Sequence, residues 1–174
     1  MNFFDFYGIP ISFKVDTSAL KQTFFTNSKK YHPDFHTMAS AEKQAEILEL
    51  STLNTQAYKT LSNFDTRMKY ILDIKGVLAD EGKNTIPQDF LMDMMDINEA
   101  LMELEFDYDP EAHQKILSEV ENIENQLLTE IQPLIENPQI TEGGREELEL
   151  IKNFYLKKRY LLRIRENLSK FAPL

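Results

Sequence analysis

Tyr31-His32-Pro33-Asp34 and, about twenty residues later, Leu53-Asn54-Thr55-Gln56-Ala57-Tyr58-Lys59-Thr60-Leu61-Ser62 are the stretches that decide how this chain folds. Ahead of the first, Leu20, Phe24 and Tyr31 are separated by four and seven residues, a spacing that brings side chains to one face of a helix. Asp16-Thr17-Ser18 offers that helix a cap. It must stop near His32-Pro33, because proline disfavours the helical conformation in the residue before it. A second helix is expected from about Ser40, carrying Ile47, Leu50, Asn54, Ala57, Tyr58 and Leu61, with Asn63 and Asp65 marking its end. The two helices form a hairpin around the His-Pro-Asp loop.

The same pattern continues outward. Thr66 to Ile74 reads as a shorter helix, and 76–86, polar with two glycines and followed by Pro87, reads as a linker. Three further helices are expected at about 88–105, 110–135 with Pro133 near its end, and 141–171, separated by Asp107-Tyr108-Asp109-Pro110 and by 137–144. Short connections favour antiparallel neighbours, hence a three-helix bundle. With 5 Gly and 7 Pro in 174 residues and few alternating segments, the class is all-α. The expected domains are 1–75, and 87–174 after the linker.

Composition narrows the function. Hydrophobic residues make up 42% of the chain, enough for a packed core. Lys and Arg number 19 against 29 Asp and Glu, a formal charge of −10 that disfavours a nucleic-acid partner, whose affinity comes from neutralised phosphates. There is no Cys, so no thiolate metal site and no cysteine-held cluster. No run approaches the ~20 apolar residues of a membrane helix. Met1-Asn2-Phe3-Phe4-Asp5 resembles neither a secretory nor an organellar leader, so the expected location is the bacterial cytoplasm, although an organellar protein stripped of its leader reads the same.

The hairpin resembles the J-domain, in which a helix, a His-Pro-Asp loop and a helix ending in Asn-x-x-Ala-Tyr-x-x-Leu follow one another. Phe6-Tyr7-Gly8-Ile9 before it and Arg67-x-x-Tyr70 after it extend the resemblance to about residues 1 to 75. The opening Phe-Phe-Asp-Phe-Tyr-Gly-Ile-Pro and an acidic helical remainder, in place of a Gly/Phe-rich tract or zinc module, resemble the HscB branch over the full length. That resemblance implies an L-shaped molecule of two domains that is not itself an enzyme. Its J-domain would stimulate ATP hydrolysis by a DnaK/HscA-type chaperone, and its bundle would hold an IscU-type iron-sulfur scaffold.

Physical chemistry supports the first half of that role. Pro33 stiffens the loop, and His32 and Asp34 supply polar groups at its tip. Lys21, Lys29 and Lys30 give a locally basic patch suited to an acidic chaperone surface. His32, Pro33 and Asp34 are the expected chaperone contacts, with the three lysines in support. Two other readings stand beside this one: Pro33 and Asp34 merely shape a turn, or His32, Asp34 and His36, alternating along the loop, hold a metal. The latter lacks an acid or base placed to use it, and no metal or cofactor is expected.

In the bundle, Phe90, Met94, Ile97, Leu101 and Leu104 recur at four, three, four and three residues and complete one buried stripe. Leu91, Met95 and Met102 form a second, with Met92 beside it and Asp96, Glu99 and Glu103 along its edge. A Met-rich apolar patch rimmed with acid suits a partner, yet a helix that touches two neighbours would bury the same residues. The HscB resemblance implies the partner surface, with Leu91, Met92, Met95, Asp96, Glu99 and Glu103 as scaffold contacts and Phe154 or Tyr155 joining from the last helix. His113 reads as an ordinary surface residue. Lys157, Lys158, Arg159, Arg163 and Arg165 read as a solvated face paired with the acidic second bundle helix. The expected state is a monomer; an enzyme built on the His32 loop and a helical protein dimerising through its Met-rich face are the rival readings.

Overall fold

The computed structural model of the protein describes residues 1–171, all helix, turn and irregular backbone with no strand among them. The chain divides into two compact units, Met1–Lys75 and Gly76–Leu174.

The first unit contains α1 (Phe3–Tyr7), α2 (Thr17–Lys30), a single 3₁₀ turn (Pro33–His36), α3 (Ala41–Ser62) and α4 (Phe64–Ile74). Helix α1 was not expected, because five residues are too few to show a period. Its signal is local: the Asn2 side chain accepts from the Asp5 N–H at 3.0 Å while the Asn2 N–H donates to the Asp5 carboxylate at 3.1 Å. Gly8 closes it in the left-handed region, at φ 67°. Asp16, Ser40 and Asn63 cap α2, α3 and α4 by accepting backbone N–H bonds.

These helices meet at Asn54, a polar side chain buried in α3. Its Oδ1 accepts from the Tyr7 hydroxyl at 2.9 Å, and its Nδ2 donates to the Phe24 carbonyl and to Ser28 Oγ, both at 3.1 Å. One amide therefore joins α1 and α2 to α3. Tyr58, one turn further along α3, stacks on Phe24 at 4.5 Å between ring centroids. Arg67 of α4, also buried, donates to the carbonyls of Phe13 at 2.9 Å and Leu61 at 2.6 Å. The Asn, Ala-Tyr and Arg positions of the sequence pattern are thus the pins of the hairpin, and no buried side-chain N or O among the described residues lacks a partner.

The second unit contains α5 (Gln88–Asp93), α6 (Met95–Phe106), α7 (Pro110–Ile135) and α8 (Arg145–Lys170). The helix expected at 88–105 is interrupted at Met94, whose backbone lies at φ −84°, ψ −5°. Neither Pro nor Gly announces the break. The Met94 N–H still donates to Phe90 O at 3.1 Å, and the Asn98 N–H to Met94 O at 2.9 Å. The first stripe therefore stays together: Phe90, Met94, Ile97, Leu101 and Leu104 pack with Ile116 and Val120 of α7 and Leu161, Ile164 and Leu168 of α8. The segment from Gly76 to Pro87, expected as a linker, groups with this unit. Ile86 packs on the bundle core, and the Asn84 side chain bonds both the N–H and the carbonyl of Ala79. Arg165 of α8 grips Glu124 of α7 in a two-bond fork at 2.8 and 2.6 Å, a pairing of the basic run with α7 of the kind expected. His113 corrects the expectation of an ordinary surface residue: it is half-buried, and its Nε2 lies 2.9 Å from the Leu168 carbonyl, tying the start of α7 to the end of α8.

Two predictions concern the Asn54 hub. Asn54→Ala deletes bonds between buried groups and should cost about 2 kcal/mol in urea unfolding. Burial, with the nearby Tyr58 adding to it, pushes the Tyr7 hydroxyl from the ordinary 10.0 up to about 12. A raised folded-state value means that this contribution to stability is complete below pH 10 and is lost as pH rises to about 12, because the unfolded chain ionises first. The stability difference between wild type and Tyr7→Phe, followed by unfolding across that window, should shrink with rising pH; a constant difference contradicts the linkage.

Candidate functional site

The His-Pro-Asp turn stands exposed at the tip of the α2–α3 hairpin. His32 is extended and acts as its cap, Nδ1 accepting from the Asp34 N–H at 3.2 Å, and the Asp34 carboxylate stays exposed 3.7 Å from the same nitrogen. Both ends of the turn are held. His36 Nε2 bonds the Lys30 carbonyl at 2.9 Å, satisfying an end group of α2 that its own ladder leaves open. On the other side Gln44 of α3 donates to the carbonyls of Thr37 at 3.1 Å and Ala39 at 3.0 Å. The imidazoles of His32 and His36 are thus drawn to different backbone partners, and no group of three His, Cys, Asp or Glu among the described residues is arranged to hold a metal.

Lys29 and Lys30 occupy the last turn of α2, where the helix dipole favours cations. Lys30 Nζ lies over the Tyr31 ring, 5.1 Å from its centroid. Lys21 sits nine residues before Lys30 on the same helix, about 14 Å along its axis, so it extends the basic patch away from the turn rather than flanking it. All three lysines are exposed.

The second site lies on α5 and α6. Leu91 is 38% exposed and Met92 and Met95 each 64%, and Asp96, Glu99 and Glu103 are exposed beside them. Along α6, Met95 points away from Ile97, Leu101 and Leu104, which fill the core, so no bundle neighbour covers it. That answers the alternative of a face buried twice. The outward orientation is fixed from behind: Asn98 Nδ2 donates to the Tyr160 hydroxyl at 2.7 Å, Phe90 meets the Tyr160 ring edge-on, and Lys157 Nζ lies over Phe90.

Phe154 and Tyr155 do not join this surface. Both are buried, at 5% and 6% exposure, and the Tyr155 hydroxyl accepts from Arg159 at 2.9 Å. The resemblance implies an aromatic from the last helix at that surface, but α8 turns both of these away from solvent. Sequence reasoning also missed Phe106, 87% exposed at the end of α6. Its signal was present: it follows Met102 by four residues and Met95 by eleven.

A helical hairpin with an exposed His-Pro-Asp turn in one unit, and a bundle with an acidic apolar face in the other, defines a J-domain protein with an appended helical module. Residues 86–169 match the family model described as the HSCB C-terminal oligomerisation domain. The co-chaperone protein HscB homologue of Neisseria meningitidis serogroup A is 32% identical over 126 residues, 72% of this chain and 76% of its own. That of Vibrio cholerae is 32% identical over 113 residues, 64% of this chain and 66% of its own. Among solved structures, the human co-chaperone protein HscB superposes with a TM-score of 0.76 at 27% identity, over all of this chain and 84% of that one. The Vibrio cholerae chaperone HscB shares the fold, with a TM-score of 0.77 over 97% and 96% of the two chains at 24% identity. The chain belongs to the HscB co-chaperone family.

Because Met92 and Met95 are mostly exposed, Met92→Ala with Met95→Ala should leave stability within about 0.5 kcal/mol of wild type in thermal or urea unfolding. A loss of several kcal/mol would mean that these side chains are core.

Proposed function

We propose that this protein is an adaptor with one binding surface on each unit. His32, Pro33 and Asp34, supported by Lys29, Lys30 and Lys21, engage a DnaK/HscA-type chaperone and stimulate its ATP hydrolysis. The α5–α6 face, through Leu91, Met92, Met95, Asp96, Glu99 and Glu103, carries an IscU-type scaffold. The observation that supports this reading most is the His-Pro-Asp turn itself, exposed yet held at both ends by His36 and Gln44, as a recognition element held in advance for its partner would be.

On this reading the bond-breaking chemistry stays at the chaperone's ATP site, and this chain supplies position. The lysines steer the encounter with an acidic chaperone surface, and the bound scaffold is raised in effective concentration at the chaperone by tethering. The protein acts as a monomer between two different partners in the cytoplasm, its family's oligomerisation domain engaging the scaffold rather than a second copy.

Single-turnover ATP hydrolysis by an HscA- or DnaK-type chaperone tests this. Wild type should accelerate the step, and scaffold should increase the effect. Asp34→Asn or His32→Gln should abolish acceleration and leave scaffold binding intact, whereas Leu91→Ala with Met95→Ala should do the reverse. Loss of both activities by either change at unchanged stability would refute the two-surface reading.

A further inference from the structure

The apolar stripe of α6 does not stop where the scaffold contacts proposed above do. Met95, Met102 and Phe106, seven and four residues apart, fall in one line on the helix side opposite Ile97, Leu101 and Leu104, and are 64%, 61% and 87% exposed. Tyr108 follows, 37% exposed. From Met95 to Phe106 the line runs about 16 Å, three turns of helix. Exposed side chains of this size in a row are more than the scattered hydrophobics that a surface ordinarily carries.

Charge selects among the occupants of such a strip. From 88 to 111 the chain carries nine acids, Asp89 through Glu111, and no Lys or Arg. None of the six carboxylates on α5 and α6 takes part in an ion pair with a described residue. A second copy docked on this face through a two-fold axis would set carboxylates against carboxylates with no cation between them. An anionic membrane surface and a nucleic-acid backbone are repelled for the same reason. A protein face with apolar side chains between lysines or arginines is attracted at every point.

We infer that the binding surface continues through Met102 and Phe106 to Tyr108, and that its partner presents an apolar ridge bordered by Lys or Arg. The inference rests on the scaffold-binding reading and makes Met102 and Phe106 contacts of the same partner. Phe106 has the most area to lose to solvent on dissociation and is the anchor; the acids set the rate of encounter and the orientation.

Titrating an IscU-type scaffold into the full chain by calorimetry decides it. Phe106→Ala and Met102→Ala should each weaken binding, by about ten-fold and about three-fold. Affinity of the wild type should fall several-fold between roughly 50 and 300 mM NaCl, as expected of an interface with charge complementarity. Circular dichroism melts should not move, since both residues lie outside the core. Wild-type affinity in both variants overturns the extension, and a salt-independent affinity overturns the cationic partner face. If the scaffold fails to bind the wild type, the scaffold-binding reading itself has failed; if Leu91→Ala with Met95→Ala weakens binding while Phe106→Ala and Met102→Ala do not, only the extension has. A homodimer seen by sedimentation that Phe106→Ala dissolves would replace the partner by a second copy and refute the inference.

Discussion

Asn54 is the point on which the N-terminal unit turns. A buried primary amide needs its donors and acceptor matched, and leaving one open costs on the order of 1–3 kcal/mol. Here the Tyr7 hydroxyl, the Phe24 carbonyl and Ser28 Oγ supply partners from two other helices, so the amide is satisfied only when α1 and α2 lie in register against α3. Apolar packing of Phe4, Leu20, Ala57 and Leu61 drives these helices together without specifying how far one slides along another; a polar match does specify it. Fixing the register of α2 on α3 fixes where their connection falls, and hence which residues stand at the tip.

The tip is held separately from the hairpin. Pro33 restricts its own backbone and His32 caps the turn, while two straps hold its ends, His36 to the Lys30 carbonyl and Gln44 to those of Thr37 and Ala39. Both use side chains to close backbone groups, which leaves the exposed faces of Pro33 and Asp34 uncommitted to the fold. A recognition loop that relied on its own contact residues for rigidity would have to surrender that rigidity on binding. Here the His32 cap comes from a proposed contact residue but the two straps do not, so on the reading proposed above little ordering entropy is left to set against the encounter.

Much of this was legible in the sequence because helical spacing and cap residues report directly on local backbone. The hairpin, the all-α class, the buried stripe from Phe90 to Leu104 and the ends of α3 and α7 all follow from spacing. What was not legible depends on three-dimensional placement. The five residues of α1 carry no period, and its Asn2–Asp5 box is visible only to a reader who already suspects a helix there. The interruption at Met94 has no breaker residue. Phe154 and Tyr155 are adjacent aromatics on a long helix that starts at Arg145 rather than near Thr141, and a shift of one residue rotates a helical side chain by about 100°. That is enough to carry an aromatic from the surface into the interior, where both lie. Phe106 escaped because a terminal aromatic beside Asp107 reads as the edge of a loop, although its spacing from Met95 and Met102 continues their line.

The uneven distribution of charge makes the two units electrostatically distinct. Residues 1–75 hold nine Lys and Arg against eight Asp and Glu, a net +1, whereas 76–174 hold ten against twenty-one, a net −11, which together make the −10 of the chain. Within the second unit the cations gather on α8 and leave α5 and α6 wholly acidic. A partner that suits the Lys29–Lys30 end of α2 must be acidic, and one that suits α6 must be basic, so each surface disfavours the other's ligand by several unmatched charges. The adaptor proposed above would have to keep its two partners from competing for one face. Segregating the signs would achieve that without relying on apolar chemistry, since Phe35 beside the turn and Phe106 on α6 are both exposed aromatics, at 72% and 87%. On that reading the apolar groups supply affinity on either surface, and the charges around them decide which partner comes close enough to use it.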